Sequence, residues 1–119
     1  MNVPKVFESE YRFCLILWEN EPISRAELAQ LCAKQLDWAK TTTYTVIHKL
    51  AERGILKTDG RIVHSLFTKE QIQDAQMEEL MHKTFQSSVP AFISAFCRSR
   101  EMSPEDVAAM EKLIEKYGE

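Results

Sequence analysis

Apolar side chains recur at spacings of three and four residues through most of the chain, which predicts a protein built mainly of helices. The first such stripe consists of Tyr11, Cys14, Leu15 and Trp18. It predicts a helix that begins near Ser9 and ends before Pro22, because proline disfavours helical geometry in the preceding residue. Residues 1–7 precede this stripe and are expected to form a loose arm.

Two further helices are predicted, with only a short turn between them. The segment Ser24–Glu27 has the sequence of a capping box, in which a serine and a glutamate side chain satisfy N–H groups at the start of a helix. The turn after this helix falls at Asp37-Trp38. The third helix is predicted from about Lys40 to Arg53. Its inward face is expected to carry Thr43, Val46, Ile47 and Leu50.

A short β-hairpin is predicted after the third helix. Asp59-Gly60 lies between two short runs, residues 55–58 and 61–67, and this arrangement strongly indicates a hairpin turn. Two helices joined by a short turn and followed by a hairpin make a winged helix-turn-helix, in which the second helix of the pair lies in the major groove of DNA. The hairpin is the wing of this motif, and it must pack on the helices because a two-stranded ribbon alone is marginally stable.

Three shorter helices are predicted after the wing, beginning near Thr68, Ser87 and Ser103. Their apolar stripes are larger than so short a segment can bury internally, and exposed stripes of this size usually mark a partner surface. We expect a homodimer, with an interface that contains Leu80, Phe92, Ile93, Phe96, Met110 and Ile114. The alternative is that these helices fold back on the first domain.

The predicted fold is mainly α with a small β-hairpin. A winged helix-turn-helix DNA-binding domain is expected over residues 1–67 and a helical dimerisation domain over residues 68–119. No apolar run reaches transmembrane length and the N-terminus lacks the apolar core of a signal peptide, which favours a cytoplasmic protein without membrane insertion. The three cysteines have no paired motif and are expected to be reduced and buried.

The net charge of −3 argues by itself against a nucleic-acid partner, but the charge is unevenly distributed. Residues 38–69 contain six Lys or Arg and two Asp or Glu, a net charge of +4. The segments before and after them carry net charges of −2 and −5. A basic middle between acidic flanks predicts a local surface that binds phosphate.

Short hydroxyl side chains are crowded at the start of the third helix, where a helix that enters the major groove meets base edges. A threonine hydroxyl can bond a base-edge donor or acceptor, and its methyl can contact a thymine methyl. The predicted DNA-binding residues are Thr41, Thr42, Thr45, Tyr44, Lys40 and Lys49 on this helix and Lys57 and Arg61 at the wing. The alternative for the threonines is a β-branched first turn without a partner, and for the wing residues it is solvated surface charge.

Sequence features of an enzyme are missing. The three histidines are far apart and have no metal-ligand spacing with each other or with the cysteines. The chain contains no glycine-rich phosphate loop and no nucleophile motif. We therefore expect no catalytic residues, no metal and no cofactor.

Several short motifs along the chain have a recognisable order and spacing. They are Leu17-Trp18, Ala26-Glu27-Leu28, Asp37-Trp38 with Thr42-x-x-Thr45, Leu50-x-x-x-Gly54-Ile55-Leu56, and Gly60-Arg61. In these motifs, and over nearly its whole length, the chain resembles the penicillinase repressors, a family of winged-helix transcriptional regulators. The resemblance implies a repressor that dimerises through its C-terminal helices and binds a palindromic operator. The DNA contacts that it implies are Thr41, Thr42, Thr45 and, on the wing, Arg61.

The chain departs from the pattern of this family at three places. The recognition helix of the family begins Ser-Pro-Lys, where this chain has Ala39, Lys40 and Thr41, so a different operator sequence is expected. In the best-known branch, a membrane sensor detects β-lactam and the repressor is cut at an Asn-Phe pair. This chain has Ala95-Phe96 there, which leaves cleavage, and a membrane sensor or protease as partner, open. The paired C-x-C motifs of the copper-responsive branch are missing.

A second function remains open beside the repressor. Winged helices also serve as protein-interaction modules, because a fold does not determine a function. The overall net charge of −3 is the observation that favours this alternative, in which the chain contacts another protein and does not bind DNA.

Overall fold

The structure, a computed structural model, describes residues 2–118, which form six helices and a three-stranded antiparallel sheet. In chain order the elements are α1 (Glu8–Asn20), β1 (Ile23–Ser24), α2 (Arg25–Leu36), α3 (Lys40–Glu52), β2 (Leu56–Asp59), β3 (Ile62–Ser65), α4 (Lys69–Phe85), α5 (Val89–Arg98) and α6 (Pro104–Tyr117). This is the mainly helical architecture with a small wing that the periodic pattern predicts. None of the helices in residues 2–118 is long and apolar enough to cross a membrane.

The predicted hairpin is present, and a third strand extends it. β2 pairs antiparallel with β3, and Gly60 in their connection adopts a positive φ of 60°, which glycine allows at low cost. β1, only two residues long, pairs with the other edge of β3, so that the strand order is β1-β3-β2. Ile23 thereby lies opposite Val63, and both side chains are buried. The wing is thus joined to the start of α2, which follows β1 directly.

The helices and the sheet of the first part of the chain enclose one apolar core. Its large, fully buried side chains include Phe13, Leu17, Leu28, Leu50, Ile55, Leu56, Val63 and Ile72. The stripe predicted on α1 lies at the margin of this core, since Cys14 is buried and the other three members are half-buried. α1 is apolar around most of its circumference, so periodicity alone does not identify the side that packs inward. The indole N–H of Trp18 donates to the carbonyl of Phe67 at 2.9 Å, which supports a packing role for that side chain.

The segment before α1 is ordered against the first unit, so the prediction of a loose arm is wrong for residues 2–7. Val6 is buried, with 5% of its surface exposed. The guanidinium of Arg53 donates to the carboxylate of Glu10 at 2.6 Å and also to the carbonyl of Lys5. These contacts join residues more than forty positions apart. A segment that is ordered by such distant contacts need not show a periodic sequence pattern, so its order was not predicted. Position 1 of the predicted arm lies outside the described residues.

The chain forms two compact units, Met1–Glu78 and Glu79–Glu119. The boundary falls within α4, and Ile72 from the first half of this helix belongs to the core of the first unit. The assignment of DNA binding to residues 1–67 and of dimerisation to residues 68–119 stays a prediction.

The second unit is packed more loosely than the first. No side chain of the described residues 79–118 is fully buried. Phe92 contacts the ring of Phe85 edge-on, at 5.5 Å between centroids, and lies 6.2 Å from the ring of Phe96. Leu113 and Ile114 on α6 leave 54% and 60% of their surfaces exposed. Within the single chain, the apolar faces of this unit therefore remain partly open to water.

The prediction of buried cysteines is correct for two of the three. Cys14 and Cys32 are buried in the first unit, and burial raises the pKa of the Cys14 thiol to about 12. Cys97 on α5 is exposed, so the prediction is wrong there. An apolar helical pattern implies burial only where other elements cover the helix, and the described part of the second unit buries no side chain completely.

Candidate nucleic-acid interface

A three-residue turn joins α2 to α3. Asp37 adopts the left-handed conformation, with φ of 59°, and ends α2. Trp38 donates its backbone N–H to the carbonyl of Cys32 at 3.3 Å and stacks its ring on Phe13, at 6.1 Å between centroids. The predicted turn at Asp37-Trp38 is confirmed, and it packs the start of α3 against the core.

One face of α3 is part of the core. Thr43, Ile47 and Leu50 are buried and Val46 is half-buried, as the helical wheel predicts. The hydroxyl of Thr43 has no hydrogen-bond partner within the described part of the chain. Burial raises the pKa of the Cys32 thiol, and the neighbouring Thr43 hydroxyl lowers this pKa by less, although the two groups do not meet the geometry of a hydrogen bond. The buried face therefore holds α3 in place, although one polar atom in it remains unsatisfied.

The opposite face of α3 is open to solvent. Its exposed side chains are Lys40, Thr41, Thr42, Thr45, His48, Lys49 and Glu52. They include the three threonines predicted to read base edges and the two lysines predicted to contact phosphates. His48 lies 3.0 Å from the carboxylate of Glu52, and both side chains are exposed. Neither His48 nor any other described residue belongs to a group of three His, Cys, Asp or Glu side chains that could hold a metal ion.

The hydroxyl of Thr45 already makes one bond within the helix. It donates to the carbonyl of Thr41, one turn earlier, at 2.9 Å. A hydroxyl has one proton to donate but two lone pairs that accept, so its acceptor side stays free. In this geometry Thr45 can accept a hydrogen bond from the amino group of adenine or cytosine, or contact a thymine methyl, but it cannot donate to a base carbonyl.

The two basic residues predicted at the wing have different surroundings. Lys57 on β2 lies 3.6 Å from the carboxylate of Asp59, which His64 also approaches at 3.5 Å. Exposed ion pairs of this kind contribute about 0–1 kcal/mol, so Lys57 can exchange the carboxylate for a phosphate at little cost. Arg61 is exposed in the turn between β2 and β3 and forms no ion pair with any residue from 2 to 118.

Arg25, a basic residue that no sequence pattern singles out, lies beside Tyr44. Its guanidinium carbon is 5.8 Å from the centroid of the Tyr44 ring, and the ammonium of Lys40 is 5.5 Å from the same centroid. The backbone N–H of Arg25 donates to the carbonyl of Arg61 at 2.8 Å. Arg25, Tyr44 and Arg61 line one open cleft of about 360 Å³. Three predicted DNA-binding residues, Lys40, Tyr44 and Arg61, therefore lie near Arg25, which was not predicted. Arg25 is a neighbour of the wing because β1 pairs with β3.

Apart from Lys57, the exposed lysines and arginines on this surface are not neutralised by carboxylates of the described chain. Those without an ion pair to any residue between positions 2 and 118 are Arg25, Lys40, Lys49 and Arg61. By contrast, Arg53, just after the C-terminal end of α3, is bound to Glu10 at 2.6 Å. Unpaired cations around a solvent-exposed helix form a surface that attracts phosphate.

Comparison with known protein families gives one clear match. The family model of the penicillinase repressors matches residues 7–116. That range contains α1 to α5, nearly all of α6, and every residue of the candidate interface. A search of curated proteins gave no match.

Proposed function

The chain belongs to the penicillinase repressor family, a family of DNA-binding transcriptional repressors, and we propose that it represses transcription as a homodimer on a palindromic operator. The observation that carries this proposal is the division of α3 into two faces. One face is buried in the core, whereas the other exposes threonines and cations without ion pairs in the described chain. A helix held on one side and polar on the other is suited to enter the major groove.

We propose that Thr41, Thr42 and Thr45 read base edges. All three lie in the first two turns of α3, and their side chains are exposed. Short side chains let the helix approach the floor of the groove closely. Because the Thr45 hydroxyl donates to the Thr41 carbonyl, we assign it the role of an acceptor, or of a methyl contact to thymine.

Phosphate contacts are assigned to the basic residues and the tyrosine around this helix. They are Lys40, Lys49, Tyr44, Lys57 and Arg61. Such contacts hold the protein in one register on the duplex but carry no sequence information directly. Each neutralised phosphate releases counterions, so we expect affinity to fall steeply as the salt concentration rises.

The second unit is proposed to hold two copies together. The residues assigned to the interface are Leu80, Phe92, Ile93, Phe96, Met110 and Ile114. All six are partly or largely exposed in the single chain, and pairing would cover them. Two copies of α3 then reach half-sites one or two helical turns apart, and each half-site reinforces the other.

The proposed repression does not depend on cleavage by a membrane sensor or protease. The Ala95-Phe96 pair lies inside α5, where the backbone N–H of Ser99 donates to the carbonyl of Ala95 at 3.1 Å. A protease must open such a helical segment before it can cleave it. Release from DNA by another signal is equally compatible with the proposed dimer.

The test is a binding titration with DNA from upstream of the gene that encodes this chain, followed by fluorescence anisotropy. We expect a preference for one palindromic site over random DNA and a steep loss of affinity with salt. Thr45→Ala should weaken binding to that site by about 1–3 kcal/mol and change binding to random DNA little. Thr84→Ala, which removes an exposed threonine from α4, is the matched control and should have no such effect.

Two results would contradict the proposal in different ways. Equal losses on specific and random DNA for Thr45→Ala would mean that this side chain does not read a base. A wild-type protein with no preference for its own upstream DNA at low salt would favour the alternative of a winged helix that contacts another protein.

A further inference from the structure

We propose that the cleft lined by Arg25, Tyr44 and Arg61 binds one backbone phosphate of each operator half-site, with Arg25 as its main ligand. This inference rests on the proposed DNA binding and adds a contact that neither the sequence pattern nor the family resemblance indicates. The cleft is defined by residues from three elements: the first residue of α2, the second turn of α3, and the turn of the wing.

The aromatic ring in the cleft orients the cations around it. The guanidinium of Arg25 and the ammonium of Lys40 both lie within 6 Å of the centroid of the Tyr44 ring, the range of a cation–π contact. A guanidinium held by an aromatic ring keeps its N–H groups available, because the ring occupies no donor. These donors form a planar fork that matches two oxygens of a phosphate.

The backbone around the cleft sets the positions of Arg25 and Arg61 relative to each other. The N–H of Arg25 donates to the carbonyl of Arg61 at 2.8 Å, directly after the pairing of β1 with β3. Ser24, just before, accepts from the N–H of Glu27 at 3.1 Å and so fixes the first turn of α2. The backbones of the two arginines are therefore joined by a hydrogen bond, which holds both residues at the edge of the same cleft.

The charge balance of the cleft indicates that its ligand is an anion. The nearby carboxylate of Glu27 accepts from the Ser24 hydroxyl at 3.0 Å and makes no ion pair with Arg25. The two arginines of the first unit that lie outside the cleft are paired, Arg12 with Glu8 at 2.9 Å and Arg53 with Glu10 at 2.6 Å. Cations that share a cleft repel one another, and an anion bound between them adds attractions that outweigh this repulsion.

A DNA phosphate fits this position better than a free ion because of what surrounds the cleft. Tyr44 is on the same helix as the exposed Thr41 and Thr45, so a duplex read by those threonines runs past the cleft. In helix-turn-helix proteins the helix before the recognition helix crosses the DNA backbone, and Arg25 is the first residue of that helix. The expected occupant is therefore the phosphate backbone next to the bases that α3 contacts.

The experiment compares three variants of the full chain on operator and random DNA over a series of KCl concentrations. Arg25→Gln should weaken binding to both DNAs about equally, by about tenfold or more, because a charge-assisted contact is lost. In a dimer it should reduce the slope of log affinity against log salt by about two, one for each copy. Lys34→Gln removes the same charge from an exposed position in the last turn of α2, and should leave the slope unchanged. Arg25→Lys should retain the slope but bind less tightly, because lysine lacks the fork.

Four other results would each contradict the proposed phosphate contact, and they can be distinguished from one another. If the wild type binds its operator and Arg25→Gln has the slope of Lys34→Gln, the cleft is not a DNA contact but the proposed function stands. If Arg25→Gln loses mainly the preference for operator over random DNA, the side chain reads a base. If inorganic phosphate raises the melting temperature of the wild type but not of Arg25→Gln, while DNA affinity is equal, the cleft holds a free ion. If the wild type binds no DNA, the proposed function fails as well. Unchanged melting temperatures without phosphate verify that the variants fold.

Discussion

The two compact units of the chain differ in how they bury apolar side chains. In Met1–Glu78, residues such as Phe13, Leu17 and Leu28 have no exposed surface at all. In the described part of the second unit, residues 79–118, no side chain is fully buried, and Ile114 leaves 60% of its surface in water. A unit with a closed core is stable alone, whereas a few short helices with open apolar faces gain most of their stability when those faces are covered.

This difference suggests that the two proposed tasks, reading bases and forming a dimer, belong to different units. The exposed face of α3 belongs to a unit with a closed apolar core, so we expect its geometry not to depend on a partner. In the proposed dimer, pairing is left to the unit whose apolar faces are open. Substitutions in the first unit should therefore affect its own stability, and substitutions in the second unit should affect the association of two chains.

The largest expected effect is the loss of a core side chain in the first unit. Phe13→Ala removes a fully buried ring that stacks on Trp38, and should lower the free energy of unfolding by about 3–5 kcal/mol. Urea denaturation followed by tryptophan fluorescence measures this, because both tryptophans, Trp18 and Trp38, lie in the first unit.

The control for this change is Leu113→Ala in the second unit, where 54% of the side chain is exposed. At low protein concentration it should leave the tryptophan transition within about 0.5 kcal/mol of the wild type. A loss as large as that of Phe13→Ala would mean that the two units unfold together and that the contrast between them has no energetic meaning.

The next effect in size concerns association. Ile114→Asp puts a charge on an apolar face that the proposed dimer covers, and should raise the dimer dissociation constant by about thirtyfold or more, which is about 2 kcal/mol. Sedimentation equilibrium over a range of protein concentrations measures it. Operator affinity should fall with it, because two half-sites no longer reinforce each other.

Leu66→Asp makes the same kind of change in the first unit, at a side chain that is 49% exposed. It should leave the dissociation constant unchanged if pairing belongs to the second unit. If both variants raise the dissociation constant equally, pairing is not confined to the second unit. If neither variant raises it, pairing belongs to another surface.

Local patterns predict the elements of this fold well. The three- and four-residue spacing identifies the helices, and Asp59-Gly60 identifies the hairpin. The helix predicted to begin near Thr68 is capped by Thr68 and Gln71, whose reciprocal hydrogen bonds are 2.8 and 3.1 Å long. These features depend on residues a few positions apart, which the sequence displays directly. The buried face of α3 was predictable for the same reason.

Contacts between distant residues were not predictable in this way. β1 is too short for a periodic pattern, so its pairing with β3, and with it the approach of Arg25 to Arg61, has no local indication. The order of residues 2–7 depends on Arg53, far along the chain. The exposure of Cys97 follows from the lack of a covering element and not from its neighbours in sequence.

A smaller effect should appear at alkaline pH, and only in the first unit. Burial raises the pKa of the Cys14 thiol from 9.0 to about 12. Above pH 9 the unfolded chain therefore releases a proton that the folded chain keeps, and stability falls by about 1.4 kcal/mol for each pH unit until about pH 12. Below pH 9 the thiol is protonated in both states, so this contribution to stability is fully present.

Urea denaturation at pH 8 and pH 10 measures this effect, as the difference between the wild type and Cys14→Ala. The variant should lose less stability over this interval than the wild type, by about 1 kcal/mol. Cys97→Ala, at an exposed thiol, should keep the pH dependence of the wild type. Identical profiles for Cys14→Ala and the wild type would mean that the core of the first unit opens to water more readily than its burial suggests.

The smallest expected effect is a gain in stability. Thr43 is fully buried, and its hydroxyl has no hydrogen-bond partner among residues 2–118, so Thr43→Val should stabilise the first unit by about 1 kcal/mol with little change of shape. Thr42→Val, one position earlier on the exposed face, is the matched control and should change stability by less than about 0.5 kcal/mol in urea denaturation. A loss of stability in Thr43→Val would instead mean that the hydroxyl forms a bond with the neighbouring Cys32 thiol. A gain, with unchanged operator affinity, would mean that the closed core stabilises the first unit by enough to tolerate an unpaired polar atom. Residues 79–118 of the second unit contain no fully buried side chain that could do the same.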